Sequence, residues 1–130
     1  MALRAKHHDV EFGVGDTIQV TQNLKEGDKT RSQVFEGMVI SIKGRGENKT
    51  FTVRRIGVGK IGIERIFPLS TPSIEKIKVI RSGSRGVRRA KLYYTRTKSS
   101  REIEKIYSRA ARLEKKKTSK KAKNAPKKKR

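Results

Sequence analysis

The sequence predicts a mainly β fold: a small antiparallel barrel followed by a C-terminal α-helix and a basic tail. Three observations carry this. Between Val10 and Arg96 the apolar residues are ten Ile and nine Val against three Leu, and β-branched side chains suit a pleated, half-buried surface. Within that span, short segments of period-two alternation are separated by closely spaced turn residues, the pattern of a small barrel or sandwich. A barrel is the better of the two because closing the sheet protects its edges from pairing with other chains. Past Lys98 the apolar period becomes helical, and then the large apolar residues stop.

Taken in order, residues 1–10 read as a flexible N-terminal segment. They lack the apolar stretch of a secretory signal, and the expected location is the cytoplasm. Thr17-Ile18-Gln19-Val20-Thr21 alternates as a strand. Glu26-Gly27-Asp28 supplies a turn. The longer run Arg31–Lys43 is apolar on both faces and reads as a central or strongly bent strand, with Gly37 as a bulge or bend. Gly44-Arg45-Gly46-Glu47-Asn48 forms the next turn, and Phe51–Arg54 and Ile61–Arg65 alternate again. Pro68 and Pro72 bracket a loop before a last strand over Ile74–Ile80. The barrel domain therefore spans 11–98.

Ser99-Ser100-Arg101-Glu102 matches a capping box. Ile103, Ile106, Tyr107, Ala110 and Ala111 then share one helical face. An amphipathic helix is predicted over 99–115, with its first turn near residue 100. The tail, 116–130, has no apolar residue larger than alanine, so by itself it cannot offset the entropy cost of ordering.

The charge is unevenly placed. Residues 1–80 carry 14 Lys/Arg and 9 Asp/Glu, a net of +5; residues 81–130 carry 21 and 3, a net of +18; the whole chain is +23. Charge so far from zero speaks to partners rather than to fold, and the matching partner is a polyanion whose phosphates take it up. With no cysteine there are no disulfides or thiolate metal sites. No apolar run approaches the roughly 20 residues of a membrane span. Membrane attachment through the tail also lacks a lipidation site or a bulky aromatic anchor.

No catalytic, cofactor or metal site is legible. Gly57-Val58-Gly59-Lys60-Ile61-Gly62 copies a dinucleotide-binding glycine pattern, but that pattern needs a helix after the glycines, and here a period-two strand follows. His7 and His8 adjoin one another in the N-terminal segment with no third ligand, and read as surface residues. Asp16, Glu36 and Glu64 stand singly and read as turn caps or partners of Lys/Arg.

The segment Arg81–Arg96 is rich in Arg and Lys, free of acids, and interleaved with Val87, Leu92, Tyr93 and Tyr94. Its apolar residues can anchor it on the barrel, its Arg forks grip phosphates, and its tyrosines either pack or stack on unpaired bases. The RNA-contacting residues predicted here are Arg81, Arg85, Arg88, Arg89, Lys91, Tyr93, Tyr94 and Arg96. A second basic group comprises Lys43, Arg45 and Lys49 in the hairpin tip with Arg54 and Arg55. The helix and its continuation add Arg101, Lys105, Arg109, Arg112, Lys115, Lys116 and Lys117.

Ordered blocks of the chain resemble one family. They include Gly15-Asp16-Thr17, Gln33-Val34-Phe35-Glu36-Gly37, Thr50-Phe51-Thr52-Val53-Arg54 and Glu64-Arg65-Ile66-Phe67-Pro68-Leu69. Pro72-Ser73-Ile74-Glu75-Lys76-Ile77 and Arg88-Arg89-Ala90-Lys91-Leu92-Tyr93-Tyr94 complete the set. From Phe12 to Arg96 the chain is similar to the bacterial large-subunit ribosomal protein L19 family. The resemblance implies an SH3-like barrel embedded in large-subunit rRNA near the subunit interface. It also implies a part in bridges to small-subunit rRNA, contact with a neighbouring large-subunit ribosomal protein, and neither enzymatic activity nor a small-molecule substrate. The competing reading of the residues is a small-barrel transcription elongation or DNA-binding regulatory factor, which would use the tail on DNA or RNA polymerase.

Overall fold

The computed structural model describes residues 3–123. A hairpin of β1 (Arg4–His7) and β2 (Val10–Gly13) precedes five strands: β3 (Thr17–Glu26), β4 (Lys29–Lys43), β5 (Thr50–Ile56), β6 (Gly62–Pro68) and β7 (Ile74–Arg81). These five make one antiparallel sheet in the order β6-β5-β4-β3-β7. A single helix, α1 (Ser100–Lys123), follows. The fold is mainly β as predicted, but the barrel is not closed, because β6 and β7 stay at opposite edges of the sheet.

The long apolar run became the central strand. In β4 every residue from Met38 to Ile42 is buried. The β4–β5 register shifts between Val39 and Ser41, so the extra residue is Ile40 rather than Gly37. The shift frees the Ile40 carbonyl to accept the Leu92 amide at 2.7 Å. Gly37 has a different task. A Cβ there would lie 2.4 Å from the carbonyl oxygen of Arg54, so only glycine lets β4 and β5 approach so closely. A row of aromatic rings runs through the buried core, with Phe12–Phe51, Phe51–Phe67 and Phe35–Phe67 centroids 5.0, 5.4 and 6.0 Å apart.

The N-terminal expectation is corrected. Residues 4–7 are not a flexible segment: they pair with β2 from Arg4↔Gly13 to His7↔Val10, and Ala5 and His7 are buried. Burial first, and then the neighbouring His8, lower the pKa of the His7 imidazole. The period-two pattern of four residues was too short to register beside the two histidines. The glycine pattern at 57–62 is a short 3₁₀ turn, Val58–Lys60, leading into β6, with no helix to receive a pyrophosphate.

The helix begins as expected but runs longer than 115, because it is described through Lys123. The Ser99 carbonyl accepts from the amides of Glu102 and Ile103 at 3.1 and 3.2 Å, while the Glu102 carboxylate faces Lys98 at 3.8 Å rather than reaching back to close a capping box. The part of the predicted tail beyond residue 123 lies outside the described residues. Ile106, Tyr107 and Ala110 are buried and Ile103 is half-buried. Each fully buried apolar side chain of this size contributes roughly 1.5–3 kcal/mol.

Between β7 and α1 the chain has no regular strand, only 3₁₀ turns at Ser84–Gly86 and Tyr93–Thr97. Its start is held by Asp16, whose buried carboxylate accepts the amides of Gly13, Gly83 and Ser84 at 2.9, 2.9 and 2.8 Å. Gly86 then packs under α1, where a Cβ would meet the Ile106 carbonyl oxygen at 1.9 Å. Replacing Asp16 with alanine strands three buried donors at about 1–3 kcal/mol each. In urea titrations Asp16→Ala should lose at least about 3 kcal/mol, and Asp16→Asn, which keeps one acceptor oxygen, should lose less. A loss below about 1 kcal/mol for the alanine variant would refute this role.

Candidate nucleic-acid interface

Three carboxylates fix the ends of the basic segment. Asp16 holds Gly83 and Ser84, as above. Glu104 of α1 takes both terminal nitrogens of Arg81, one of them at 3.0 Å, and Arg81 lies 4.1 Å from the centroid of Tyr107. Glu64 on β6 accepts Arg96 through Nε and Nη2, both at 2.7 Å, and Arg54 through Nη1 at 2.9 Å. The hydrogen bond from Arg96, against the opposing effect of burial and with help from Arg54, holds the Glu64 carboxyl below the usual carboxylate range.

Between these ties the segment is anchored by apolar and aromatic groups. Leu92 is fully buried. The half-buried Tyr93 carries Lys43 and Arg96 near its ring, 5.6 and 4.8 Å from the centroid. Tyr94 is half-buried with Arg89 5.0 Å from its centroid. Tyr107 is buried on the inner face of α1 and bonds Thr17, and burial raises its pKa. Of the three tyrosines, Tyr107 packs, whereas Tyr93 and Tyr94 have partly open rings beside cations.

The structure sorts the predicted cations. Arg54, Arg81 and Arg96 are tied to carboxylates. Arg109 donates to the Gly86 carbonyl at 2.9 Å and so helps seat the helix. Lys49 donates to the Arg4 carbonyl at 3.4 Å, and Arg55 sits 5.5 Å from the Phe35 centroid. Arg45 is exposed in the hairpin tip. Arg85, Arg88, Arg89 and Lys91 form no ion pair among the described residues. Arg101, Arg112 and Lys115 are exposed on α1.

Two of the clefts that border α1 are lined on their other side by the basic segment between Arg85 and Arg89. One, of about 480 Å³, is lined by Arg88, Arg89, Lys98, Lys105 and Arg109, with Tyr94 and Ile103. The other, of about 720 Å³, is lined by Arg4, Arg85, Lys116, Lys117 and Lys120 around Val87 and Leu113. Arg4, Lys98 and Lys120 were missed by sequence reasoning. Arg4 was assigned to a flexible segment, and its pairing across the β1–β2 hairpin is what brings it to Ser84, 3.5 Å away. Lys98 and Lys120 carried the available signal of a cation near a helical stripe. The described residues hold no group of three or more side chains suited to a metal ion, and no described helix is long and apolar enough to cross a membrane.

Residues 2–109 match the family model described as Ribosomal protein L19. The chain is 63% identical over 86 residues to the large ribosomal subunit protein bL19 of Thermosipho melanesiensis, a match covering 66% of this chain and 73% of that protein. The bL19 protein of Kosmotoga olearia is 58% identical over 86 residues, with the same coverage. That of Wolinella succinogenes is 50% identical over 91 residues, covering 70% of this chain and 75% of its own.

Because the folded pKa of Glu64 is depressed, its ion pairs add stability that is complete above the unfolded glutamate value of about 4.3 and is lost as pH falls through the lower folded value. Acid titration of thermal stability should show this component in the wild type and not in Glu64→Gln. Identical acid profiles would show that the Glu64 cluster does not contribute.

Proposed function

The chain belongs to the Ribosomal protein L19 family, and from that premise we propose that it binds large-subunit rRNA through the basic segment 81–96 and the facing side of α1. It is a non-enzymatic structural constituent of the large ribosomal subunit. The observation that carries the binding surface is the sorting of charge. The carboxylates near the segment are used to fix its ends, and Arg85, Arg88, Arg89 and Lys91 are left without an acidic partner among the described residues. A held backbone with unpaired Arg forks presents fixed donor geometry to phosphates. Lysines on the outer helix face add affinity with little discrimination.

The proposal extends to a place near the subunit interface, with bridges to small-subunit rRNA, as the family resemblance implies. It also includes contact with a neighbouring large-subunit protein. The surface suited to that contact is the β5–β6 hairpin tip, where Ile56, Val58 and Ile61 are exposed, Val58 at 97%. An open apolar tip beside an edge strand marks a protein-contact surface.

Sucrose-gradient sedimentation in high salt should place the chain with the large subunit, and its absence from ribosomal fractions would remove the proposal. Co-purification with RNA polymerase and activity on duplex DNA would instead support a regulatory factor. Replacing Arg88 and Arg89 together with alanine should weaken rRNA binding. It should also flatten the slope of log affinity against log salt by about 0.7–0.9 per lost phosphate contact. Wild-type affinity and slope in that variant would move the surface elsewhere.

A further inference from the structure

We infer that the two clefts lined by Arg85–Arg89, which flank the contact of Arg109 with the Gly86 carbonyl, take successive parts of one single-stranded stretch of RNA, with phosphates on the rim and unpaired bases against the floor. The inference deepens the rRNA-binding proposal above and rests on it. Lys105, Arg109, Leu113, Lys116 and Lys120 follow one another at helical spacings of four, four, three and four residues, which keeps them on one stripe. The first two line one cleft and the last three line the other. On the other side of the clefts the chain runs through Arg85 and Val87 in the second cleft and directly on to Arg88 and Arg89 in the first. At 1.5 Å per residue the helical wall from Lys105 to Lys120 is about 22 Å long, enough for several nucleotides.

The occupant follows from the lining. Arg85, Lys116, Lys117 and Lys120 form no ion pair among the described residues. Arg4 is paired with Glu11, and Glu102, the acid lining the first cleft, faces Lys98. Between the cations lies an apolar floor: Val87 is half-buried and Leu113 is 46% exposed. A cationic rim alone suits any phosphate backbone. A cationic rim over an open apolar floor suits a strand whose bases are unstacked and free to turn inward, because a duplex offers its backbone and keeps its bases inside. At the far end Tyr94, with Arg89 5.0 Å from its ring centroid, provides a flat surface for a base.

The test is fluorescence-anisotropy titration of the full chain at fixed salt, with a ten-nucleotide single-stranded RNA and with a duplex carrying the same number of phosphates. Wild type should bind the single strand about tenfold tighter, the effect of one or two stacked or buried bases. The pair Arg85→Ala with Lys116→Ala should weaken the single strand more than the duplex. Arg101→Ala with Lys115→Ala removes equal charge from positions that line neither cleft, and should weaken both ligands by the same factor. Leu113→Ser should weaken the single strand alone. Circular dichroism should show the helix retained in each variant. Equal affinity of wild type for the two ligands, or equal losses in the two double variants, would overturn the inference. Sedimentation with the large subunit alongside such a result would leave the broader rRNA proposal standing, whereas loss of sedimentation would remove both.

Discussion

The Asp16 carboxylate is the constraint on which the rest of this molecule depends. A buried carboxylate costs several kcal/mol unless its oxygens are satisfied, and here three backbone amides from two distant parts of the chain satisfy them. One comes from the end of the N-terminal hairpin and two from the turn after β7. The Asp16 backbone is itself tied to the central strand, since its carbonyl accepts the Val39 amide at 2.9 Å. A single side chain therefore joins hairpin, sheet and basic segment. Gly83 can lie against the Tyr107 ring, and Gly86 beneath the Ile106 carbonyl, because this turn is held in place. The seat of α1 is thus set in part from the turn before β3, and Arg109 on the Gly86 carbonyl and Glu104 on Arg81 complete it from the helix.

From that anchor the logic of the basic segment follows. Its beginning is fixed by Asp16 and by Glu104 on Arg81, its middle by the Leu92 amide on the Ile40 carbonyl, and its end by Glu64 on Arg96. A segment this cationic repels itself, and the few acids near it stand where they restrain the backbone rather than where they cancel most charge. Arg54, Arg81 and Arg96 act as ties. Arg85, Arg88, Arg89 and Lys91, between the ties, form no ion pair among the described residues. Lys43 and Arg96 beside Tyr93 extend this cationic surface from the segment onto the end of β4.

The sheet strands were legible because β-branched alternation and turn residues report local structure directly. The helix start was legible from its apolar spacing. What stayed hidden depended on contacts between distant residues. The role of β1 as a strand depends on its partner β2, and nothing local marks Arg4–His7 as paired. Closure of the sheet is decided by whether β6 meets β7, and periodicity carries no information on that. Asp16 read correctly as a cap, but which amides it caps could not be read from residues 67 and 68 positions away. The same limit applies to the interface. Sequence located the basic segment, whereas the division of its arginines into ties and free cations needed the positions of Glu64 and Glu104.

The second half of α1 shows how fold and ligand are coupled. Its buried stripe ends at Ala110, and every described side chain from Ala111 to Lys121 is exposed. Over that stretch Lys116 and Lys120 stand four residues apart, as do Lys117 and Lys121, and such like-charged pairs destabilise a helix by a few tenths of a kcal/mol each. The hydroxyls of Thr118 and Ser119 bond back to the carbonyls of Lys115 and Lys116 at 2.9 and 3.0 Å, which adds little to helix stability. With one acid, Glu114, among these residues, neutralisation from outside would stabilise the helix here. A phosphate chain along the stripe removes the repulsion between successive turns, so binding and helix formation stabilise each other by mass action. The packed half of α1 sets direction and register, and on the proposed reading a bound polyanion would add stability to the cationic half.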